Sequence, residues 1–153
     1  MSVTIQEEAL TDDIITSLST LAEEHNDEVG VFPEYQFALD HALYLHLYSH
    51  GMLKLFTAID TETALRIGYI VYIVSPHPHF KEVLIAKEDG LFVNKVYRNG
   101  SLGLRLIKYC DDVLKTKYGV TMTMQIATEA NDHSAILYRC GYHKIETTYM
   151  RRL

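Results

Sequence analysis

Two stretches near the amino terminus repeat apolar residues every three or four positions, which is the period of an amphipathic helix. The first covers residues 11–25, and its apolar face consists of Ile14, Ile15, Leu18, Leu21 and Ala22. Thr11 precedes two aspartates, a pattern typical of a helix N-terminus. The second stretch runs roughly from Glu34 to His50, and Gly51 follows in the position where glycine commonly ends a helix. We therefore expect two helices before the first strand.

After Gly51 the pattern changes to short segments rich in β-branched and aromatic residues, which indicates strands. The segments are 52–59, 65–75 and 83–93, and the turns between them fall at 60–64 and 75–81. Pro76 and Pro78 lack backbone N–H donors, so pairing is expected to stop there. Gly90 interrupts the third segment and predicts a β-bulge, with a plain kink as the alternative. This part of the chain reads as a three-stranded antiparallel meander.

The remaining sequence alternates helix and strand. Helical periodicity covers 102–118 and 134–140, and strand patterns cover 120–128 and 144–153. The unit spanning 84–127 is a βαβ unit, which implies a parallel strand pair with a right-handed crossover. The sequence thus predicts an α/β fold with a mixed sheet, an antiparallel meander followed by a βαβ unit, in the order ααβββ-αβ-αβ.

Length and composition narrow the class of protein. The 153 residues suit one domain spanning 1–153, and a net charge of -6 without a basic stripe argues against nucleic-acid binding. No apolar run reaches membrane-spanning length, and the amino terminus lacks the pattern of a signal peptide. Cys110 and Cys140 do not have a metal-ligand or disulfide spacing, which indicates free thiols. We expect a cytoplasmic protein.

The turn at 98–103 is the first candidate for chemistry. It reads Arg98-Asn99-Gly100-Ser101-Leu102-Gly103 and leads directly into a helix. A helix N-terminus offers unpaired N–H groups and a partial positive charge, and small residues let an anion approach the backbone. The P-loop and dinucleotide-binding fingerprints are both absent. The turn is therefore a candidate phosphate site, with an ordinary connection as the alternative.

Two sequence blocks resemble the GNAT superfamily of acyl-CoA-dependent N-acyltransferases. The segment 91–103 is similar to its loop Arg/Gln-x-x-Gly-x-Gly/Ala, with Arg98 and Gly103 in place and Ser101 where the first glycine is usual. The segment 131–142 is similar to its Asn-x-x-Ala-x-x-Leu-Tyr-x-x-x-Gly-Phe stretch. The order of elements over residues 5–153 is similar as well. Residues 65–106 and 146–149 also resemble GNAT-like proteins of bacteriophages.

The resemblance implies acetyl-CoA as acyl donor and an amine of a small molecule or protein as acceptor. It implies that the CoA pyrophosphate is bound beside Arg98 by backbone N–H groups of Asn99, Gly100, Ser101, Leu102, Gly103 and Leu104. It implies that pantetheine lies along the strand at Phe92 and Val93 and is contacted by Asn131. No metal is expected, because His77 and His79 lack a third ligand with suitable spacing.

For catalysis the resemblance implies that Tyr138 protonates the leaving thiolate, and that a backbone N–H near Gly90 stabilises the oxyanion. Glu88 is the candidate general base, because it lies on the strand beside the expected thioester. A Tyr138 that only packs between helix and sheet is the alternative. Two other functions stay open: a CoA-binding or dimerising module with little catalysis, and a protein that docks to a partner. A homodimer is also left open.

Overall fold

A computed structural model describes residues 2–98 and 100–153 of the chain. The strands are β1 Val3–Glu8, β2 Leu53–Asp60, β3 Arg66–His77, β4 Phe80–Val93 and β5 Met122–Met124. The helices are α1 Asp12–Val29, α2 His41–Ser49, α3 Leu102–Tyr118 and α4 Ser134–Arg139, with a short 3-10 helix at Lys95–Tyr97. The sheet order is β1-β2-β3-β4-β5, antiparallel except for the parallel pair β4–β5. The predicted mixed α/β sheet is confirmed.

The two chain ends differ from the prediction. Strand β1 was not expected, but it pairs along β2 from Val3 opposite Asp60 to Glu8 opposite Leu55. The strand predicted at 144–153 is absent, and that segment has no regular structure. Ile145 and Tyr149 are 78% and 90% exposed, so the alternation there covers no apolar surface. The observed order therefore begins with a strand and ends with a helix.

Strand β3 continues through Pro76, although pairing was expected to stop before it. Pro76 lies opposite Leu84 of β4. Val74 donates its N–H to Met52 at the start of the neighbouring strand β2. Backbone N–H and C=O groups point to alternate sides along a strand, so the backbone nitrogen of Pro76 points to the same side as that of Val74. At Pro76 that side lies beyond the end of β2. The missing N–H therefore removes no hydrogen bond from the sheet, which is how edge positions tolerate proline.

Helices cover both faces of the sheet and create two apolar cores. On one face α3 packs against the sheet, with a core that includes Phe56, Tyr72, Leu106 and Cys110. On the other face α1 and α2 cover Leu55, Tyr69 and Phe92. Thr11 caps α1 as predicted, its Oγ1 accepting from the N–H of Ile14 at 3.2 Å. Helix α2 begins only at His41, where the Asp40 carboxylate accepts from the N–H of Leu43 at 2.9 Å.

The two cysteines are free, Cys110 buried in the core beneath α3 and Cys140 half-buried. Within residues 2–98 and 100–153, none of the helices combines the length and the apolar character needed to cross a membrane.

Candidate active site

Strand β4 carries the bulge that Gly90 predicted. Val71 of β3 pairs with Gly90 and Tyr72 pairs with Glu88, which leaves Asp89 as an extra residue in β4. A bulge of this kind bends its strand and increases the local twist. On the other side of β4, β5 pairs only with residues 85–87. The two parallel strands therefore separate just before the bulge, and β4 has an open edge beyond Lys87.

Two residues of β4 present backbone groups to this open edge. The N–H of Asn94 bonds to the carbonyl of Ile67 at 2.8 Å, so Asn94 faces β3. Residues facing β3 alternate with residues facing away, which turns Val93 and Leu91 toward the open edge and Phe92 toward β3. The side chain of Phe92 is also 2% exposed. The carbonyl of Val93 already accepts from Arg98 Nε at 2.6 Å, which leaves its N–H facing the open edge. The backbone groups of Phe92 face β3, and the ligand contacts expected at both residues stay predictions.

The amino end of α3 lies just beyond this strand. In the part of the chain that the structure describes, Ser101 makes no side-chain capping bond and the first turn of α3 contains no acidic residue. The helix dipole is therefore available to an external anion. A Cβ added to Gly103 would meet only the Cδ1 atom of Ile136, at 3.8 Å. Internal packing does not require glycine here, so its small size leaves room for a ligand. Asn99 lies outside the described residues.

Arg98 joins the loop after β4 to helix α1. Its Nε donates to the carbonyl of Val93 at 2.6 Å, and its Nη2 pairs with Glu28 of α1 at 2.9 Å. Its guanidinium also lies 5.0 Å from the centre of the Phe92 ring. Lys95 pairs with the same Glu28 oxygen at 3.4 Å, so one carboxylate is shared by two cations of this loop. The expected contact of Arg98 with a phosphate stays a prediction.

A cavity of about 260 Å³ lies between the two amino-terminal helices and the bulge. Glu88 borders it, is 5% exposed, and accepts the N–H of Ile126 at 2.9 Å. Burial raises the pKa of Glu88 to about 7, and the backbone hydrogen bonds to it only partly oppose this. A carboxylate with that pKa accepts and releases protons near neutral pH. Its position and pKa suit the general base that the sequence suggested.

Three further side chains reach this cavity without a sequence signal that marked them: His25, Tyr44 and Tyr69. His25 of α1 lies 2.8 Å from the Tyr69 hydroxyl through its Nδ1 and stacks on Phe92. The Tyr44 hydroxyl of α2 donates to Asp89 on the bulge at 2.6 Å. The two hydrogen bonds join residues 44 and 45 positions apart, and nothing local in the sequence indicates them. They close the cavity by linking both helices to the sheet.

Asn131 and Tyr138, both implied by the family resemblance, occupy different places. Asn131 borders the cavity, and its N–H bonds to Thr128 Oγ1 at 3.0 Å. Tyr138 is 57% exposed on α4 and does not border the cavity. The structure therefore brings Glu88 and Asn131 together, and it places Tyr138 outside this group.

An open strand edge, a bulge beside a buried carboxylate and an uncapped helix N-terminus thus lie together in a mixed α/β sheet. The chain belongs to the acetyltransferase (GNAT) family, whose sequence profile matches residues 17–142. A search of curated proteins gave no match.

Solved structures show the same fold at low sequence identity. A ribosomal-protein-alanine N-acetyltransferase from Brucella melitensis biovar Abortus 2308 is 14% identical, with a TM-score of 0.74 and 99% of both chains covered. An aminoglycoside acetyltransferase from an uncultured soil metagenomic sample is 17% identical, with a TM-score of 0.75 over 100% of this chain and 99% of that one. A transcriptional regulator from Bacillus halodurans C-125 is 14% identical, with a TM-score of 0.78 and coverage of 99% and 100%. Their names differ in role, so they support the fold and leave the acceptor open.

Proposed function

We propose that this protein transfers an acetyl group from acetyl-CoA to a primary amine. The observation that carries the proposal is the open edge of β4, which runs from the cavity at Glu88 to the uncapped amino end of α3. In this arrangement pantetheine adds to β4 through Leu91 and the N–H of Val93, as a peptide adds to a sheet edge, because Arg98 already occupies the Val93 carbonyl. The pyrophosphate accepts hydrogen bonds from backbone N–H groups of residues 100–104, and the helix dipole stabilises its negative charge.

The acceptor amine enters from the cavity side in this proposal. Glu88 takes a proton from the ammonium, and the neutral nitrogen attacks the thioester carbonyl. A backbone N–H at the bulge stabilises the tetrahedral oxyanion, a term that is usually large in acyl transfer. The attacking nitrogen then releases its second proton to solvent, the carbon–sulfur bond breaks, and Tyr138 donates its phenolic proton to the thiolate. The phenolate regains a proton from solvent and Glu88 releases its own, which restores both groups. Tyr138 must approach the donor to protonate the thiolate, because its side chain is exposed outside the cavity.

The exposure of Tyr138 favours one second candidate, a CoA-binding module with little catalysis. Two measurements separate the candidates. Calorimetry with CoA measures binding, and release of free thiol from acetyl-CoA in the presence of amines measures transfer. Binding together with amine-dependent thiol release supports the acetyltransferase. Binding with no release above the uncatalysed rate supports the module, and absence of both contradicts the donor site itself.

A further inference from the structure

The cavity beside the bulge has one continuous apolar side. Helix α1 contributes two small aliphatic residues, and the segment before α2 contributes a ring and a leucine. The members are Ala22, Val29, Phe37 and Leu39. The rings of Tyr44 and Tyr69 border the same space, and their hydroxyls are already bonded to Asp89 and His25. An occupant therefore meets carbon and aromatic surface on this side.

The opposite side of the cavity offers hydrogen-bond acceptors. The Nδ1 atom of His133 lies 3.2 Å from the carbonyl of Asn131, and because a carbonyl only accepts, Nδ1 carries the hydrogen. With the hydrogen on Nδ1, the Nε2 atom of a neutral ring is an acceptor. It has no accessible surface and no partner among residues 2–98 and 100–153, so an occupant reaches it only if the ring turns. Glu88 also borders the cavity and supplies a carboxylate acceptor there.

The charge around the cavity favours a cation. Two acidic residues border it, Glu88 and Asp89, and within the described part of the chain no lysine or arginine does. Burial lowers the pKa of His25, so that ring stays neutral at neutral pH. Asp89 is the more exposed of the two acids and accepts from Tyr44 through Oδ2 at 2.6 Å, whereas Glu88 is buried at the cavity wall.

The cavity has room for a small body. At about 260 Å³, the cavity is smaller than the ~300–1,000 Å³ typical of sites for drug-sized ligands. A second ammonium on the same molecule would lie against the apolar side, where an unpaired charge is strongly disfavoured.

We propose that the acceptor is a compact monoamine, one ammonium on a body of a single ring or a short branched chain. This inference rests on the proposed acetyl transfer and names the substrate class for that site. The ammonium lies beside Glu88, and the body packs on Phe37. Polyamines, aminoglycosides and protein amino termini are poor acceptors in consequence.

The test compares kcat/KM for 2-phenylethylamine, spermidine, kanamycin and an alanine-initiated hexapeptide, using thiol release from acetyl-CoA. We expect 2-phenylethylamine to be preferred by about ten-fold or more, the scale of discrimination by apolar contacts. Phe37→Ala should remove about ten-fold of that preference and leave the value for spermidine nearly unchanged. Phe32→Ala is the matched control, because Phe32 precedes α2 in the same segment but is 49% exposed and outside the cavity.

The results test the monoamine class separately from acetyl transfer itself. Preference for spermidine, kanamycin or the peptide, or an equal loss for every amine in Phe37→Ala, overturns the monoamine class while acetyl transfer stands. If no amine is acetylated, the proposed function fails, and calorimetric titration of the same amines into the CoA-bound protein decides the class. Tighter binding of 2-phenylethylamine that weakens in Phe37→Ala supports it, and tighter binding of any other amine overturns it.

Discussion

Replacing Glu88 by glutamine should make the protein more stable and less active at alkaline pH. Glu88 is 5% exposed and its pKa is raised from the ordinary 4.5 to about 7. Between these two pH values the folded protein holds a proton at this site that the unfolded chain has released. The free energy of unfolding therefore falls as pH rises through this window. The raised pKa corresponds to a penalty of about 3 kcal/mol at pH 8.

Glutamine removes this penalty because it is neutral and has nearly the same shape. Its amide oxygen can keep the hydrogen bond that Glu88 accepts from the N–H of Ile126 at 2.9 Å. We expect Glu88→Gln to raise the free energy of unfolding by about 2–3 kcal/mol at pH 8 and by close to zero at pH 4.5. Loss of the base should lower kcat by about 100-fold or more.

Urea unfolding of both proteins, followed by circular dichroism across this pH range, measures the difference. Glu82→Gln is the control, because Glu82 lies on the same strand but is exposed and outside both cavities. Its stability should change little at any pH. A Glu88→Gln effect of equal size at both ends of the range would refute the raised pKa. Unchanged thiol release would refute the role as base.

Three further substitutions test other parts of the site. Gly103→Ala should leave the free energy of unfolding unchanged or raise it by up to about 1 kcal/mol, because the new Cβ fits at 3.8 Å from Ile136. Calorimetry should nevertheless show that CoA binds about ten-fold more weakly, and an unchanged affinity would contradict the pyrophosphate site. Gly68→Ala is its counterpart, since a Cβ there would lie 2.9 Å from the carbonyl oxygen of Phe92. Thermal unfolding should show that the free energy of unfolding falls by about 2 kcal/mol. A variant as stable as the parent protein would contradict this close approach. Tyr138→Phe should lower kcat for thiol release by about 10- to 100-fold with CoA affinity and stability unchanged, because the hydroxyl is exposed; an equal loss of affinity would tell against the acid role.

Elements with a strong local signal were predictable from the sequence. Helix α3 begins and ends where its apolar periodicity does, at Leu102 and Tyr118. It ends there because Gly119 adopts the left-handed conformation, with φ of 67°. The bulge followed from a lone glycine in a strand pattern. Short elements were harder: β1 has six residues, too few for a clear alternation. The pattern at 144–153 was misleading, because alternation forms a strand only where one face finds a surface to cover.

The side-chain contacts of the site depend on tertiary structure. Arg98 is expected at a phosphate because it stands beside the turn, and its hydrogen bond to Glu28, 70 residues away in the chain, has no local signal in the sequence. His25 and Tyr44 look like ordinary helix residues until α1 and α2 fold over the bulge. A sequence motif fixes which backbone path is available, whereas the pairing of long charged side chains is decided by neighbours that the motif does not contain.

The separation of β4 from β5 explains why a carboxylate is buried at Glu88. A second cavity of about 420 Å³ lies on the β5 side, and it shares Glu88, Asp89 and Ile126 with the first. Glu88 is therefore placed where the two cavities meet, at the point where β4 loses its partner strand. If β5 continued alongside β4, backbone hydrogen bonds between the strands would occupy this opening. An apolar side chain in place of Glu88 would then make the folded protein more stable. A buried carboxylate with a raised pKa at such an opening is consistent with the proton-transfer role proposed for Glu88.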